Sequence, residues 1–304
     1  MVQKAYKAGE CSHNTTVIKG IIDSNFSPNV ELFDLQGGGA LDPFNNVSLK
    51  SDQTLGFTTT DIASFLDLCG IGGLAISGSA LFKQYYRLLA DGGTVTGGST
   101  DVLLTVNKGL LSFGSISCQQ FGYASLIANV TPTFDGTNAP IVVTATGTTP
   151  TQTRQTEVFT VGTLSANGTA VPIVSMNLDL GLRIEKIGSD GHPYNTECFI
   201  VSRNPKVSFG IHNLSNLIAA GISPMIGKVS GGNVIFYLRK MLLGGGSVPN
   251  ATEEHIKFTS SGGTFTVEPV SAGQNALANF NLVYTPVWDV SNAIFVIDTT
   301  AAIT

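Results

Sequence analysis

Apolar and polar residues alternate over short segments of the chain, each bounded by Gly, Asn, Asp or Pro. Alternation of this kind, with many β-branched residues, is typical of short strands that bury one face. The pattern predicts strands in residues 29–35, 101–111, 123–134, 140–146, 180–187, 198–202, 264–270 and 279–287. We therefore expect a mainly β fold.

One segment, residues 57–70 (FTTTDIASFLDLCG), has a helical period instead. Its apolar positions are Ile62, Phe65, Leu66 and Cys69. This i, i+3, i+4, i+7 spacing places all four on one helical face. Thr60 or Asp61 is suited to cap the first turn, and Gly70 can end the helix in a left-handed conformation.

A second segment, residues 209–221 (FGIHNLSNLIAAG), repeats this design. Asn213 is the predicted cap, and Gly221 is the predicted end. The predicted apolar stripe consists of Leu214, Leu217 and Ile218. Residues 80–90 also suggest a helix, and residues 234–243 suggest one more weakly because they begin with β-branched side chains.

The second helical segment is part of a longer repeat at an offset of 152 residues, half of the 304-residue chain. Phe57 matches Phe209, Tyr85 matches Tyr237 and Arg87 matches Arg239. With small changes in offset, Asp42-Pro43-Phe44 matches His192-Pro193-Tyr194, and TPTFD (131–135) matches TPVWD (285–289). A repeat of this length indicates two whole domains of one fold, because solenoid repeats have only about 20–50 residues.

The repeat predicts a first domain at residues 1–148 and a second at 149–304. Residues 144–156 contain almost no apolar side chains and are the predicted linker. The tail after residue 291 lies beyond the repeat, so we expect one extra strand and a frayed end there, available to a neighbouring molecule.

Composition narrows the functional classes. Charged residues make up 12% of the chain, and the chain contains 35 glycines. A low charge content suits a β-rich protein whose surface is covered by neighbours in an assembly. The formal net charge of −5 argues against a general nucleic-acid binder, which needs Lys and Arg to neutralise phosphates.

No pattern typical of a catalytic, cofactor or metal site is found, so the sequence predicts a non-enzymatic protein without cofactor or metal. Residues 221–230 resemble a phosphate-binding loop, but five residues separate the two glycines and Val229 stands where Ser or Thr would bind magnesium. The histidines His13 and His255 are expected on the surface, and Arg87 and Arg239 at a solvated helix end or pairing with acids across an interface.

The start of the chain contains no apolar stretch typical of a secretory signal, and the longest apolar stretches are too short for a membrane span. The four cysteines do not form CxxC pairs, which predicts reduced thiols in a cytoplasm.

Each half has the same order of predicted elements: a strand, a Gly-rich turn with Pro and an aromatic residue, a second strand, and then FTTTDIASFL or FGIHNLSNLI. In this order of elements each half resembles the tail tube proteins of long-tailed bacteriophages. The segment GLLSFGSISCQQFGYASLIANVTPTFDG carries the same resemblance, which covers roughly residues 15–290.

The resemblance implies two tandem β-sandwich or partial-barrel domains, each with a short flanking helix. It implies a structural virion protein made in the host bacterial cytoplasm. Three duplicated chains would form a pseudo-hexameric ring, and rings would stack into a hollow tube that conducts DNA without binding it specifically. The implied partners are further copies and the tail terminator, baseplate and tape-measure proteins, without a membrane.

Two other classes of virion protein fit the repeat. A major capsid protein with two fused jelly rolls also forms trimers of pseudo-sixfold shape. A tail fibre or baseplate component would string its repeats lengthwise. A β-rich hydrolase remains a further alternative, although the sequence nominates no residue for it.

Overall fold

The computed structural model describes residues 5–35, 45–89, 101–146, 155–189, 191–212, 214–222, 228–229, 232–268, 280–288 and 293–304. The elements of the first half are β1 (Ala5–His13), β2 (Thr16–Ile18), β3 (Ile21–Ser27), β4 (Val30–Leu35), β5 (Asn45–Ser51), β6 (Thr54–Thr59), α1 (Ile62–Cys69), β7 (Leu74–Ile76), β8 (Phe82–Leu89), β9 (Asp101–Val106), β10 (Gly109–Gln119), β11 (Ser125–Pro132) and β12 (Val142–Thr146). Those of the second half are β13 (Val158–Ala166), β14 (Thr169–Pro172), β15 (Ser175–Asp179), β16 (Arg183–Ile187), β17 (Glu197–Ser202), β18 (Lys206–Ile211), α2 (Leu214–Ala219), β19 (Lys228–Val229), β20 (Val234–Met241), β21 (His255–Ser260), β22 (Gly263–Val267), β23 (Phe280–Pro286) and β24 (Val296–Ala301). The predicted mainly β fold is confirmed.

The strands of the two halves are arranged in the same way. The first half has a five-stranded sheet β12-β9-β8-β1-β2 and a second layer β7-β10-β11-β6-β3. The second half has β24-β21-β20-β13-β14 and β19-β22-β23-β18-β15. Adding twelve to each strand number of the first half therefore reproduces the second. The separate hairpins β4-β5 and β16-β17 correspond in the same way.

A shared irregularity supports this equivalence. The register between β1 and β8 shifts between Ala8 and Cys11, and that between β13 and β20 shifts between Val161 and Leu164. Such bulges are specific features of a strand pair. We call residues at matching places, offset by 152 to 154 positions, counterparts. Common origin by duplication and the domain bounds at residue 148 stay predictions.

Each half is a two-layer sandwich whose layers meet through aromatic rings. Phe57 on β6 stacks on Phe82 on β8 with 5.7 Å between ring centroids. In the second half, Phe209 on β18 meets Phe236 on β20 edge to face at 5.6 Å. Facing aromatic residues of this kind bury large apolar areas and join the two layers.

The first predicted helix is confirmed, and all four residues of its apolar stripe are buried. Gly70 ends it with a positive φ, and its N–H donates to the Leu66 carbonyl. Asp61 occupies the N-cap position but forms no side-chain cap. Its carboxylate instead accepts a hydrogen bond from the Lys19 N–H at 3.0 Å, so it ties the helix start to the strand region before β3.

The second helix is present as α2, and Gly221 ends it with a positive φ. The predicted cap, Asn213, lies outside the described residues. Leu217 is buried as predicted, but Ile218 is exposed, so its place in the apolar stripe was predicted wrongly. Ala220 and Ile222, beyond the helix, are buried instead.

Residues 80–90 were predicted wrongly as a helix, because residues 82–89 form strand β8 between β1 and β9. Residues 234–241 likewise form β20. Pairing on both sides outweighs the local helical spacing. Arg87 and Arg239 therefore lie on strands, and the predicted solvated helix end is wrong. The Arg87 Nη2 lies 2.8 Å from Glu10 Oε2, and both side chains are buried.

The linker and tail predictions also need correction. Residues 144–146 of the predicted linker belong to β12, and residues 147–154 lie outside the described chain. The tail strand β24 pairs with β21 of its own half, so it is the counterpart of β12 and not an extra strand. Its end is not frayed, because Ile303 is buried and its N–H donates to the Asn250 carbonyl at 2.8 Å.

Candidate assembly interface

The inner layers of both halves join into one ten-stranded sheet through β10 and β15. These antiparallel strands pair from Ser115 opposite Asp179 to Gln119 opposite Ser175. Nine of its strands run in the order β19-β22-β23-β18-β15-β10-β11-β6-β3, and the tenth, β7, pairs with β10. A backbone ladder therefore holds the two halves side by side.

The length of β10 makes this joint possible. It has 11 residues, and its beginning pairs with β7, with Gly109 opposite Ile76. Its end extends past β7 and pairs with β15 along the same edge. The strand β10 therefore pairs with strands of its own half and with a strand of the second half.

The hairpin β16-β17 of the second half also crosses to the first half. The Lys186 Nζ lies 2.6 Å from Asp52 Oδ1, and the Asn195 amide donates to the same oxygen at 3.1 Å. A more exposed ion pair joins the Lys108 Nζ to Glu197 Oε1 at 2.6 Å. Because these pairs are partly solvated, they orient the hairpin more than they stabilise it.

An aromatic cluster covers the tip of this contact. The ring of Phe134, which follows β11, stacks on the His192 imidazole with 4.0 Å between centroids. Tyr194 stacks on the same ring at 5.9 Å. The Phe134 N–H donates to the Asn195 carbonyl at 2.8 Å. Ring and backbone contacts together fix the hairpin on Phe134.

One face of the hairpin points to the first half. A Cβ placed on Gly73 would lie 3.1 Å from the Ile200 Cδ1, so the hairpin packs directly on the turn after α1. Ile184 lies opposite Ile200 in the hairpin ladder, which places both on this face. The Cys198 thiol is on the same side, 3.8 Å from the Thr131 carbonyl.

The first-half counterparts of two such interface residues are exposed. In hairpin β4-β5, Leu32 is 58% exposed, whereas its counterpart Ile184 in hairpin β16-β17 is half-buried. On the sheet edge, Phe26 is 36% exposed, whereas Leu178 is fully buried. These exposed apolar residues match those that the internal joint covers.

The face of the ten-stranded sheet that points away from the sandwich cores is polar. We call it the polar face, and it consists of Asp23, Asn25, Thr58, Ser115, Ser117, Gln119, Ser125, Ile127, Asn129, Ser175, Asn177, Asp179, Lys206, Ser208, Thr264, Thr266, Glu268, Asn281, Val283 and Thr285. Small hydroxyl and amide side chains dominate it, and its charged members are Asp23, Asp179, Glu268 and Lys206. A shallow groove of about 680 Å³ runs along its centre.

The residues considered for chemistry from the sequence are dispersed. His13 on β1 and His255 on β21 are both buried, so their predicted surface positions are wrong. The His255 Nδ1 accepts the Lys240 N–H at 3.0 Å and its Nε2 lies 3.1 Å from the Pro249 carbonyl, which fixes the ring between β20 and the connection that follows it. Burial lowers the pKa of the His13 imidazole, because both buried ring nitrogens lack a hydrogen-bond partner among the described residues and the charged form is poorly solvated.

The cysteines are also dispersed. Burial raises the pKa of the Cys69 and Cys118 thiols to about 12. In the described part of the chain, no group of three or more His, Cys, Asp or Glu side chains could hold a metal ion. Most of the loop that resembles a phosphate-binding loop, residues 223–227, lies outside the described residues.

Sequence reasoning found the repeat but not the joint. The β10–β15 pairing depends on the three-dimensional arrangement of the sheets. The one related signal in the sequence was the match of TPTFD to TPVWD, which contains Phe134 of the contact.

Neither helix within the described ranges has the length and apolarity needed to cross a membrane. Comparison with protein-family models and with curated proteins finds no match to this chain.

Proposed function

We propose that the chain is the major tail tube subunit of a long-tailed bacteriophage and forms rings that stack into a hollow, DNA-conducting tube. The observation that carries this proposal is the joint between two halves of equal topology, made through β10 and β15. The protein would be a structural, non-enzymatic component of the virion tail, made in the host bacterial cytoplasm.

The joint supports repetition because its two sides are different surfaces. The end of β10 in the first half pairs with β15 in the second, and β3, the counterpart of β15, ends the sheet. A contact of this head-to-tail kind can be repeated from chain to chain and closes into a ring when the rotation permits. Three chains would then supply six similar domains, and closure would cover the sheet edges.

The polar face supports a channel for DNA. In a closed ring, a continuous sheet presents one face to the centre, and the sandwich cores occupy the other. Duplex DNA binds surfaces that neutralise its phosphates with Lys and Arg. With three acidic residues and one lysine among mostly uncharged side chains, the polar face offers DNA few attractive contacts, so DNA can slide through.

Further copies of the chain are the principal proposed partners, within rings and between stacked rings. The tail terminator, baseplate and tape-measure proteins of the virion are proposed as partners at the ends of the tube and within it. These partners follow from the resemblance described above, and no membrane partner is proposed.

Negative-stain electron microscopy over a concentration series, with oligomer mass from light scattering, tests the proposal. Trimeric rings or tubes with a central channel are expected. A protein that stays monomeric at every concentration would contradict the proposal and favour the hydrolase alternative. Closed shells would instead favour the capsid alternative, and lengthwise strings of domains without a channel would favour a fibre or baseplate component.

A further inference from the structure

The chain contains one tryptophan, Trp288, and its indole is 61% exposed. Trp288 follows β23 as Phe134 follows β11, and TPVWD aligns with TPTFD at this place. The neighbouring Val287 is also exposed. A large exposed aromatic residue beside an exposed aliphatic one is typical of a site that a partner covers.

The counterpart of Trp288 is covered within the chain. Phe134 is half-buried because His192 and Tyr194, between β16 and β17, stack on its ring. The first half therefore shows what this position does when the following domain is present. The second half has the same position, with a larger ring that is exposed.

The first half provides the matching hairpin. Hairpins β4-β5 and β16-β17 share their pairing and an irregularity at the same place, between Glu31 and Leu32 in one and between Arg183 and Ile184 in the other. Ile184 lies on the docked face, so Leu32 lies on the corresponding face of β4. Phe33, the next residue, points to the opposite face and is also exposed.

We infer that hairpin β4-β5 of a second copy of the chain docks on Trp288, as β16-β17 docks on Phe134. The receiving surface contains Trp288 and Val287. The Leu32 face of the hairpin packs on the second half beside these residues, as the Ile184 face lies against the first half beside Phe134. This inference rests on the proposed function, because it requires head-to-tail association of copies. It adds the specific contact that selects the neighbouring copy.

Because Trp288 is the single tryptophan, intrinsic fluorescence reports on this site alone. The full chain is brought to increasing concentration while light scattering follows its mass. On association, the emission maximum should move to shorter wavelength, and quenching by acrylamide should weaken several-fold.

Two variants of the hairpin test the occupant. Leu32→Asp should weaken association at least tenfold and leave the emission of Trp288 at its exposed value. Phe33→Asp is the matched control, because it introduces the same charge on the opposite face of the same strand. It should preserve both association and the fluorescence change.

The outcomes separate this inference from the proposed function. Oligomers in which Trp288 keeps its exposed emission overturn the docking and leave the ring proposal intact. An equal effect of Leu32→Asp and Phe33→Asp on the Trp288 emission also overturns it. Absence of any oligomer contradicts the docking and the proposed function together.

Discussion

Leu66 and Ile218 occupy the same place in the two helices, yet Leu66 is 4% exposed and Ile218 is 61% exposed. The helix that contains Leu66 lies beside the second half, where the Thr299 hydroxyl donates to the Asp67 carboxylate at 2.7 Å. The helix that contains Ile218 lies in the second half, which faces the next copy in the proposed ring. The difference between these residues therefore fits one covered and one uncovered position of the same contact.

This difference predicts that substitution affects stability strongly at Leu66 and weakly at Ile218. Leu66→Ala removes buried apolar atoms and should lower the free energy of unfolding by about 2–5 kcal/mol. Ile218→Ser should change it by about 0.5 kcal/mol or less, since the side chain is solvated in the single chain. Urea denaturation of the dilute protein measures both effects.

The same substitution Ile218→Ser should weaken association of the protein, because the proposed ring covers this position. Light scattering over a concentration series provides the measurement. Ile218→Leu is the control and should associate as the original protein does. Equal association of the Ser and Leu variants would contradict a covered position for Ile218.

His13 should make stability depend on pH. Its folded-state pKa lies below the usual value of 6.5, because burial disfavours the charged imidazole. The unfolded chain therefore binds a proton at higher pH than the folded chain does. The contribution of His13 to stability is complete above about pH 6.5 and is lost as pH falls towards the folded-state pKa.

Urea denaturation between pH 8 and pH 5 tests this sign. The stability of the original protein relative to a His13→Asn variant should decrease as pH falls. A relative stability that stays constant over this range, or increases at low pH, would contradict the assignment. The other titrating groups occur in both proteins, so their contributions largely cancel.

How far the sequence predicts the fold differs between elements. The alternation in Lys206–Ile211 corresponds to alternating burial, because one face of β18 packs on the core. The apolar stripe of α1 was equally readable. In both cases the environment of a residue depends on its own element, so local periodicity is sufficient.

Other features depend on distant partners. Residues 82–89 have helical spacing, but β1 and β9 on either side hold them as a strand. The end of β10 pairs with β15, and the residues of the two strands contain no pattern that predicts this pairing. The sequence therefore indicated the candidate interface only through the repeat. Its contacts could be identified only from the three-dimensional arrangement of the sheets.

His255 provides a test of a buried polar contact. Its ring nitrogens pair with the Lys240 N–H and the Pro249 carbonyl. Replacing it with Ala leaves both backbone groups without this partner and opens a cavity. We expect His255→Ala to lower the free energy of unfolding by about 2–4 kcal/mol, measured by urea denaturation. The exposed His212→Ala is the control, and a loss below about 0.5 kcal/mol for His255→Ala would contradict this role.

The four thiols should react slowly in the folded protein. Burial raises the pKa of each above its usual value, to about 12 for Cys69 and Cys118. At pH 8 about one in ten thousand of these two thiols is ionised, and only the thiolate attacks a disulfide reagent. Cys198 is the least buried, so it should react first.

Reaction with an aromatic disulfide reagent, followed by absorbance, gives the rates. Four thiols should react rapidly in denaturant, and the fastest folded-state phase should vanish in Cys198→Ser. Rapid reaction of several thiols without denaturant would contradict the burial described here.

The last prediction concerns the polar face and its proposed position in the channel. Asn25 and Asn177 are counterparts on this face, and both are exposed. The double variant Asn25→Lys/Asn177→Lys adds two positive charges per chain, hence six in a ring of three chains. If the polar face lines the channel, these charges converge on the path of DNA and should retain it.

Sedimentation of assembled tubes with short duplex DNA measures this retention. The original protein should leave the DNA in solution, whereas the double variant should carry it into the pellet at about 50 mM salt and much less at about 200 mM. Thr144→Lys/Ala170→Lys is the matched control, with the same added charge at exposed positions of the outer five-stranded sheets. Because each charge of the control lies outside the proposed channel, it should retain less DNA; equal retention by both variants would contradict the assignment of the polar face to the channel.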